Sequence, residues 1–132
     1  MASNLETTKK AYELFQRGDI ATLIKDAVDD DCTWIAAGPP DILPWAGTFK
    51  GKQEIARFFA RVAENLHFTE FTPREMIEQG ETVVVIGTSA HQVKKTGKTV
   101  KNEWVHVFKY RERKAVFFQE YLDTAAEVRG FS

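Results

Sequence analysis

The chain has 132 residues, 43% of them hydrophobic, and a formal net charge of −1. That length and apolar content suit one domain over 1–132 with a real core, and exclude compositional disorder. The near-neutral balance lacks the concentrated positive surface that nucleic acid requires, no apolar run approaches the roughly 20 residues of a membrane span, and the lone Cys32 cannot close an internal disulfide.

The stretch MASNLETTKKAYELF has no apolar signal core, so a cytoplasmic location is expected. Leu5, Ala11, Tyr12, Leu14 and Phe15 recur at helical spacing, which predicts a first helix from Leu5 to Arg17 with Ser3 or Asn4 as its cap. In the RGD that follows, Gly18 stops this helix and Asp19 caps the next, so the triplet reads as punctuation and not as an adhesion motif. A second helix is predicted over Ile20 to Val28. DDDCTWIAAG then reads as a short strand with Cys32, Trp34 and Ala36 on one face. Pro39, Pro40, Pro44 and Gly47 mark PPDILPWAGTFKG as a loop, and Ile55, Phe58, Phe59 and Val62 predict a third helix over Gln53 to Asn65. From Leu66 the pattern changes to four strand-like stretches, parted by turn signals at Gln79-Gly80, Thr96-Gly97 and Arg111 to Lys114. Helices followed by strands give an α+β domain with its helices on one face of an antiparallel sheet.

Alternation along these strands groups the chemistry. Asn102, Trp104, His106 and Phe108 share a face; so do Val85, Gly87, Ser89 and His91; so do Val116, Phe118, Glu120 and Leu122. An apolar, aromatic surface with a few convergent polar groups is the composition of a small-molecule pocket. Glu120 stands in line with large apolar side chains, where an enclosed carboxylate loses hydration and becomes a better base; the alternative is an exposed or Lys/Arg-paired carboxylate. His106 is the second candidate catalytic residue, against the alternative of a strand histidine bonded to a backbone carbonyl. Trp34, Trp104, Phe118 and Leu122 would form flat walls, and Trp45 a rim or lid. Asn102, Ser89 and His91 are candidates to hydrogen-bond a substrate. Asp123 either caps the C-terminal segment or stands at the pocket mouth. KKTGKT is a hairpin turn without P-loop spacing, and no cluster has metal-ligand spacing, so neither cofactor nor metal is expected.

YELFQRGDIATLI, DDCTWIA, PWAGTFKGKQEIARFF, NEWVHVFKY and QEYLDTA together resemble the nuclear transport factor 2-like superfamily, in its SnoaL-like polyketide cyclase flavour, over nearly the whole chain. The resemblance implies a cone of three N-terminal helices packed on a strongly curved, mostly antiparallel sheet that encloses a pocket. It implies that His106 and Glu120 form the facing His–acid pair of the SnoaL-like cyclases. EYLD is similar to the last-strand acid motif of limonene epoxide hydrolase, which again places the acid on Glu120, but that enzyme's tyrosine and asparagine fall at Trp34 and Ala36. The general base of ketosteroid isomerase falls near Ala36, and its helix-one tyrosine near Ala11, beside Tyr12. The activity implied is cofactor-free acid/base chemistry of isomerase, cyclase or hydrolase type on a hydrophobic cyclic or carbonyl compound. A non-catalytic ligand-binding module and a dimeric interaction domain are the alternatives. The opposite sheet face carries Val105, Val107, Phe117 and Tyr121, too apolar to stay in water as one patch, and predicts a homodimer.

Overall fold

The computed structural model describes residues 3–132. Its elements run α1 (Asn4–Gln16), α2 (Ile20–Ala27), β1 (Val28–Ala36), β2 (Gly47–Lys50), α3 (Gly51–Asn65), β3 (Leu66–Gln79), β4 (Thr82–Val93), β5 (Thr99–Arg111), β6 (Lys114–Leu122) and α4 (Thr124–Gly130). The Ser3 hydroxyl caps α1 by accepting from the Glu6 backbone N–H, and Asp19 caps α2 by accepting from Thr22. Gly18, at φ +76°, makes the left-handed turn between them that a residue with a Cβ would resist.

The six strands form one sheet in the order β2-β1-β6-β5-β4-β3. All neighbours are antiparallel except β1 and β6, whose parallel pairing needs the long crossover through the rest of the chain. Irregular register between Phe68 and Glu70, between Pro73 and Glu75, and between Lys109 and Tyr110 bends the long strands, as bulges do. The helices α1, α2 and α3 lie against the concave side. Their apolar faces, with Leu14, Leu23, Ile55, Phe58 and Phe59, join Trp34, Val83, Val85, Trp104 and Phe118 from the sheet in one core.

Three expectations change. PPDILPWAGTFKG is not loop throughout: Gly47–Lys50 pairs with β1 as an edge strand, and α3 starts at Gly51. A fourth helix follows β6 beyond the three expected, and Asp123 caps it by accepting from Ala126, the first of the two roles open to it. Val116 does not continue the inward row of Phe118 and Glu120. Tyr110 faces Ala115 and Lys109 faces Phe117, so Val116 is the extra residue of a bulge, and Ala115 takes the buried place.

Candidate active site

The bulge at Val116 sets the site. With it, His106 on β5 stands directly opposite Glu120 on β6; without it, Gln119 would take that place. Directly opposed side chains on one face have Cβ atoms about 5 Å apart, so the two reach each other. His106 Nε2 lies 2.8 Å from Glu120 Oε2. On the other side of the ring, His106 Nδ1 lies 2.6 Å from the Tyr12 hydroxyl, delivered by the buried stripe of α1. The three groups form one chain, Tyr12–His106–Glu120, running from helix to last strand. The His106 side chain is 7% exposed and that of Glu120 is 18% exposed, so the carboxylate is the end nearer to solvent.

Burial, and then the neighbouring Tyr110 and Glu120, raise the Tyr12 hydroxyl well above the ordinary tyrosine range. Tyr12 therefore keeps its proton and donates it to His106 Nδ1. That puts the imidazole proton on Nε2, facing the Glu120 carboxylate. Beside Tyr12, the Tyr110 hydroxyl lies 2.5 Å from Thr8 Oγ1, and burial raises it too.

Aromatic rings hold this chain in place. Trp104 stacks on His106 with centroids 4.1 Å apart, and on Phe71 at 4.9 Å. Trp34 stacks on Phe118 at 3.9 Å, which follows from their pairing across the parallel β1–β6 ladder. Trp104 lies across Gly87, its register partner on β4; a Cβ at Gly87 would stand 2.5 Å from the indole Cη2 and 2.6 Å from the Thr72 carbonyl oxygen. Only glycine leaves room for that ring.

These walls enclose a half-open cavity of about 110 Å³, roughly eight times the minimum a water molecule needs. Of the residues singled out from sequence, Glu120, His106, Trp34, Trp104, Phe118, Leu122, Trp45, Ser89 and His91 all line it. Trp45 is 5% exposed and packs on Phe131 at 5.6 Å, so it is a wall and not a rim or lid. Asn102 is not among the lining residues: its amide donates to Asp123 O (3.0 Å) and to Glu127 Oε2 (2.7 Å), tying α4 to the sheet. Asp123 is occupied as the α4 cap, and His67 is exposed on β3. No Lys or Arg is among the lining residues; the polar groups are Tyr12, Tyr110, Ser89, two histidines, two carboxylates and the indole N–H groups. The buried Nε1 atoms of Trp34 and Trp104 have no partner among the described residues. No group of His, Cys, Asp and Glu among the described residues could hold a metal ion, and no helix there is long and apolar enough to cross a membrane.

Two site residues escape the reading of sequence alone. Tyr12 carries a signal, since it sits on the buried stripe of α1 next to the position where a ketosteroid isomerase tyrosine falls. Glu127 carries none, because its helix has only 7 residues and follows a strand with no break in composition.

A family model for the SnoaL-like domain matches residues 8–118. The chain belongs to the SnoaL-like family. Solved structures agree over 97–100% of its length. An NTF2-like protein from Burkholderia xenovorans LB400 is 30% identical, with 98% of this chain and 95% of that one covered and a TM-score of 0.87. An NTF2-like protein of unknown function from Burkholderia pseudomallei K96243 is 29% identical, covering 100% and 99%, with a TM-score of 0.89. TerC, co-crystallized with polyporic acid, is 29% identical, covering 97% of each chain, with a TM-score of 0.86. No functionally curated protein matches. The SnoaL-like cone expected from sequence is thus the observed fold, with a fourth helix added.

Proposed function

We propose that this SnoaL-like chain is a cofactor-independent acid/base enzyme that moves a proton on a hydrophobic, ring-bearing carbonyl compound. The observation that carries the reading is the buried Tyr12–His106–Glu120 chain ending on an aromatic cavity. Glu120 is the base: one carboxylate oxygen is held by His106, and the other is available to take a proton from the carbon beside the carbonyl. His106, its proton fixed on Nε2 by the Tyr12 bond, orients the carboxylate and steadies its charge. Tyr12 is a positioning residue. As the proton leaves, charge develops on the carbonyl oxygen, and the unpaired indole N–H groups of Trp34 and Trp104, both residues of the cavity wall, are the candidate donors for it. With no Lys or Arg in the lining and two carboxylates present, neutral ligands are favoured over anions. That TerC was co-crystallized with polyporic acid supports a small organic ligand in this fold.

We also propose a homodimer through the outer sheet face. Ile86 (36% exposed) and Tyr121 (52% exposed) stand there beside the half-buried Val105, Val107 and Phe117, a contiguous apolar surface by register.

The test is deuterium incorporation into cyclic ketones, β-tetralone first, incubated in heavy water and read by mass spectrometry. The wild type should speed exchange at the carbon beside the carbonyl, and Glu120→Gln should abolish it. Saturable binding without exchange would make the protein a binding module; exchange unchanged in Glu120→Gln would remove Glu120 as the base.

A further inference from the structure

The same cavity has a second polar end that the acid/base chain does not use. His91 on β4 and Glu127 on α4 both line it, and both are buried, each 3% exposed. Glu127 is held from behind by Asn102, whose amide also grips the backbone at Asp123 where α4 begins. α4 is pressed close to the sheet, since a Cβ on Gly130 would stand 2.5 Å from Val100 Cγ2. Glu127 Oε1 lies 2.9 Å from His91 Nε2. That nitrogen is off the line a hydrogen bond prefers, so the contact is electrostatic, and Nδ1 has no partner at all among the described residues. The carboxylate favours the imidazole proton on the nearer nitrogen, which leaves Nδ1 as a bare acceptor. Phe68 packs edge-on to the ring at 5.3 Å and offers it no hydrogen bond.

A cluster that only fastened α4 would not need His91. Asn102 already fills one oxygen of Glu127 and the backbone at Asp123, and a buried imidazole with an unmet acceptor is costly. His91 is part of the cavity wall, so a ligand held there lies against the ring. Ser89, two positions along the same face of β4 and 6% exposed, lines the cavity beside it.

We propose that His91, positioned by Glu127, is a second ligand-recognition site that accepts a hydrogen bond from a hydroxyl at the end of the ligand remote from Glu120. Asn102, which anchors Glu127, and His106, which holds Glu120, are four residues apart on β5, roughly 13 Å along a strand. Between them lie Trp104 and its stacked neighbour Phe71. The ligand class is therefore an elongated, flat, ring-bearing compound with a polar group at each end, one of them a hydroxyl. This deepens the proposed function and rests on its reading of the cavity as a ligand site.

The test compares biphenyl, its para-hydroxy derivative and its para,para′-dihydroxy derivative by quenching of tryptophan fluorescence. In the wild type the dihydroxy compound should bind roughly tenfold more tightly than the monohydroxy one, the size of one added buried hydrogen bond. His91→Phe should erase that preference and leave the affinity for the monohydroxy compound in place. Glu127→Gln, which keeps the bond partner of Asn102, should weaken the preference. A merely structural role would lower both affinities together and leave their ratio unchanged, and that result would overturn the proposal. Equal affinity for the two phenols in the wild type, a comparison that needs no variant to fold, would also overturn it while the cavity reading stands. No saturable quenching by any of the three would remove the cavity reading and this site with it.

Discussion

Tyr12→Phe removes one oxygen atom and keeps the ring. The Phe ring retains the stacking of Tyr12 on Trp104, at 5.8 Å, and on His106, at 5.9 Å. What is lost is the bond to His106 Nδ1, which leaves that nitrogen buried without a donor. An unmet buried acceptor costs about 1–3 kcal/mol. Unfolding entropy of about 2.1 cal/mol/K per residue gives this chain roughly 0.28 kcal/mol/K, so the melting temperature should fall by about 4–11 °C. The assay is thermal melting at neutral pH by circular dichroism, run as a double-mutant cycle with His106→Ala. In the His106→Ala background the same change should cost much less, because its partner is gone. Deuterium exchange into the ketone should also fall in Tyr12→Phe, since the imidazole loses the bond that fixes its tautomer. An equal cost in both backgrounds, or no shift in either, would refute the argument that Tyr12 and His106 form one hydrogen-bonded unit.

Gly87→Ala should destabilise the fold by about 1–3 kcal/mol or more. The new Cβ would meet the Trp104 ring and the Thr72 carbonyl oxygen at 2.6 Å, and the displaced indole should raise the KM for any ring ligand; a neutral melting curve would contradict this. Alkaline conditions should unfold the protein. Burial, with Asp29 as the lesser cause, pushes the Cys32 thiol up to about 12, and burial raises Tyr12 and Tyr110 as well. The unfolded chain therefore releases protons that the folded chain keeps, so stability is intact below about pH 9 and falls above it, by about 1.4 kcal/mol per pH unit for each such group. Urea midpoints measured from neutral to alkaline pH should show this fall, with its first part removed in Cys32→Ala; a flat profile would count against burial of these groups. Light scattering at micromolar concentration should report about twice the 15.0 kDa chain mass, and Tyr121→Lys should halve it; a monomer throughout would mean the outer face stays uncovered.

How far the sequence discloses the site depends on which periodicity each residue obeys. Glu120, His106, Trp104 and His91 lie on long strands, and alternation puts each on its proper face with no knowledge of the partner strand. Register is another matter. That His106 meets Glu120 depends on a two-residue turn at Glu112 and Arg113, with φ of +51° and +63°, and on the bulge at Val116. Neither carries the Asn-Gly or Gly signal that marks such features. Alternation alone therefore points Val116 inward, and Ala115 holds the position instead. Asn102 obeys its strand's parity and is buried, yet α4 reaches it before the cavity does. Tyr12 needed the packing of helix on sheet to become a partner of His106, a contact 94 residues apart in the chain, which no local pattern encodes. The family resemblance carried the overall cone, because its five segments span both layers of the fold.

Glu120 is the group that must meet the ligand if the protein is an acid/base enzyme. The direct measurement is a crystal structure of Glu120→Gln, which should bind ketone without turning it over, grown with saturating β-tetralone. The ring should lie between the Trp34–Phe118 and Trp104 walls, with the carbon beside the carbonyl about 3–3.5 Å from the residue 120 side chain, the distance of a reactive pose. A ketone bound with that carbon turned away from residue 120, or seated outside the cavity, would contradict it.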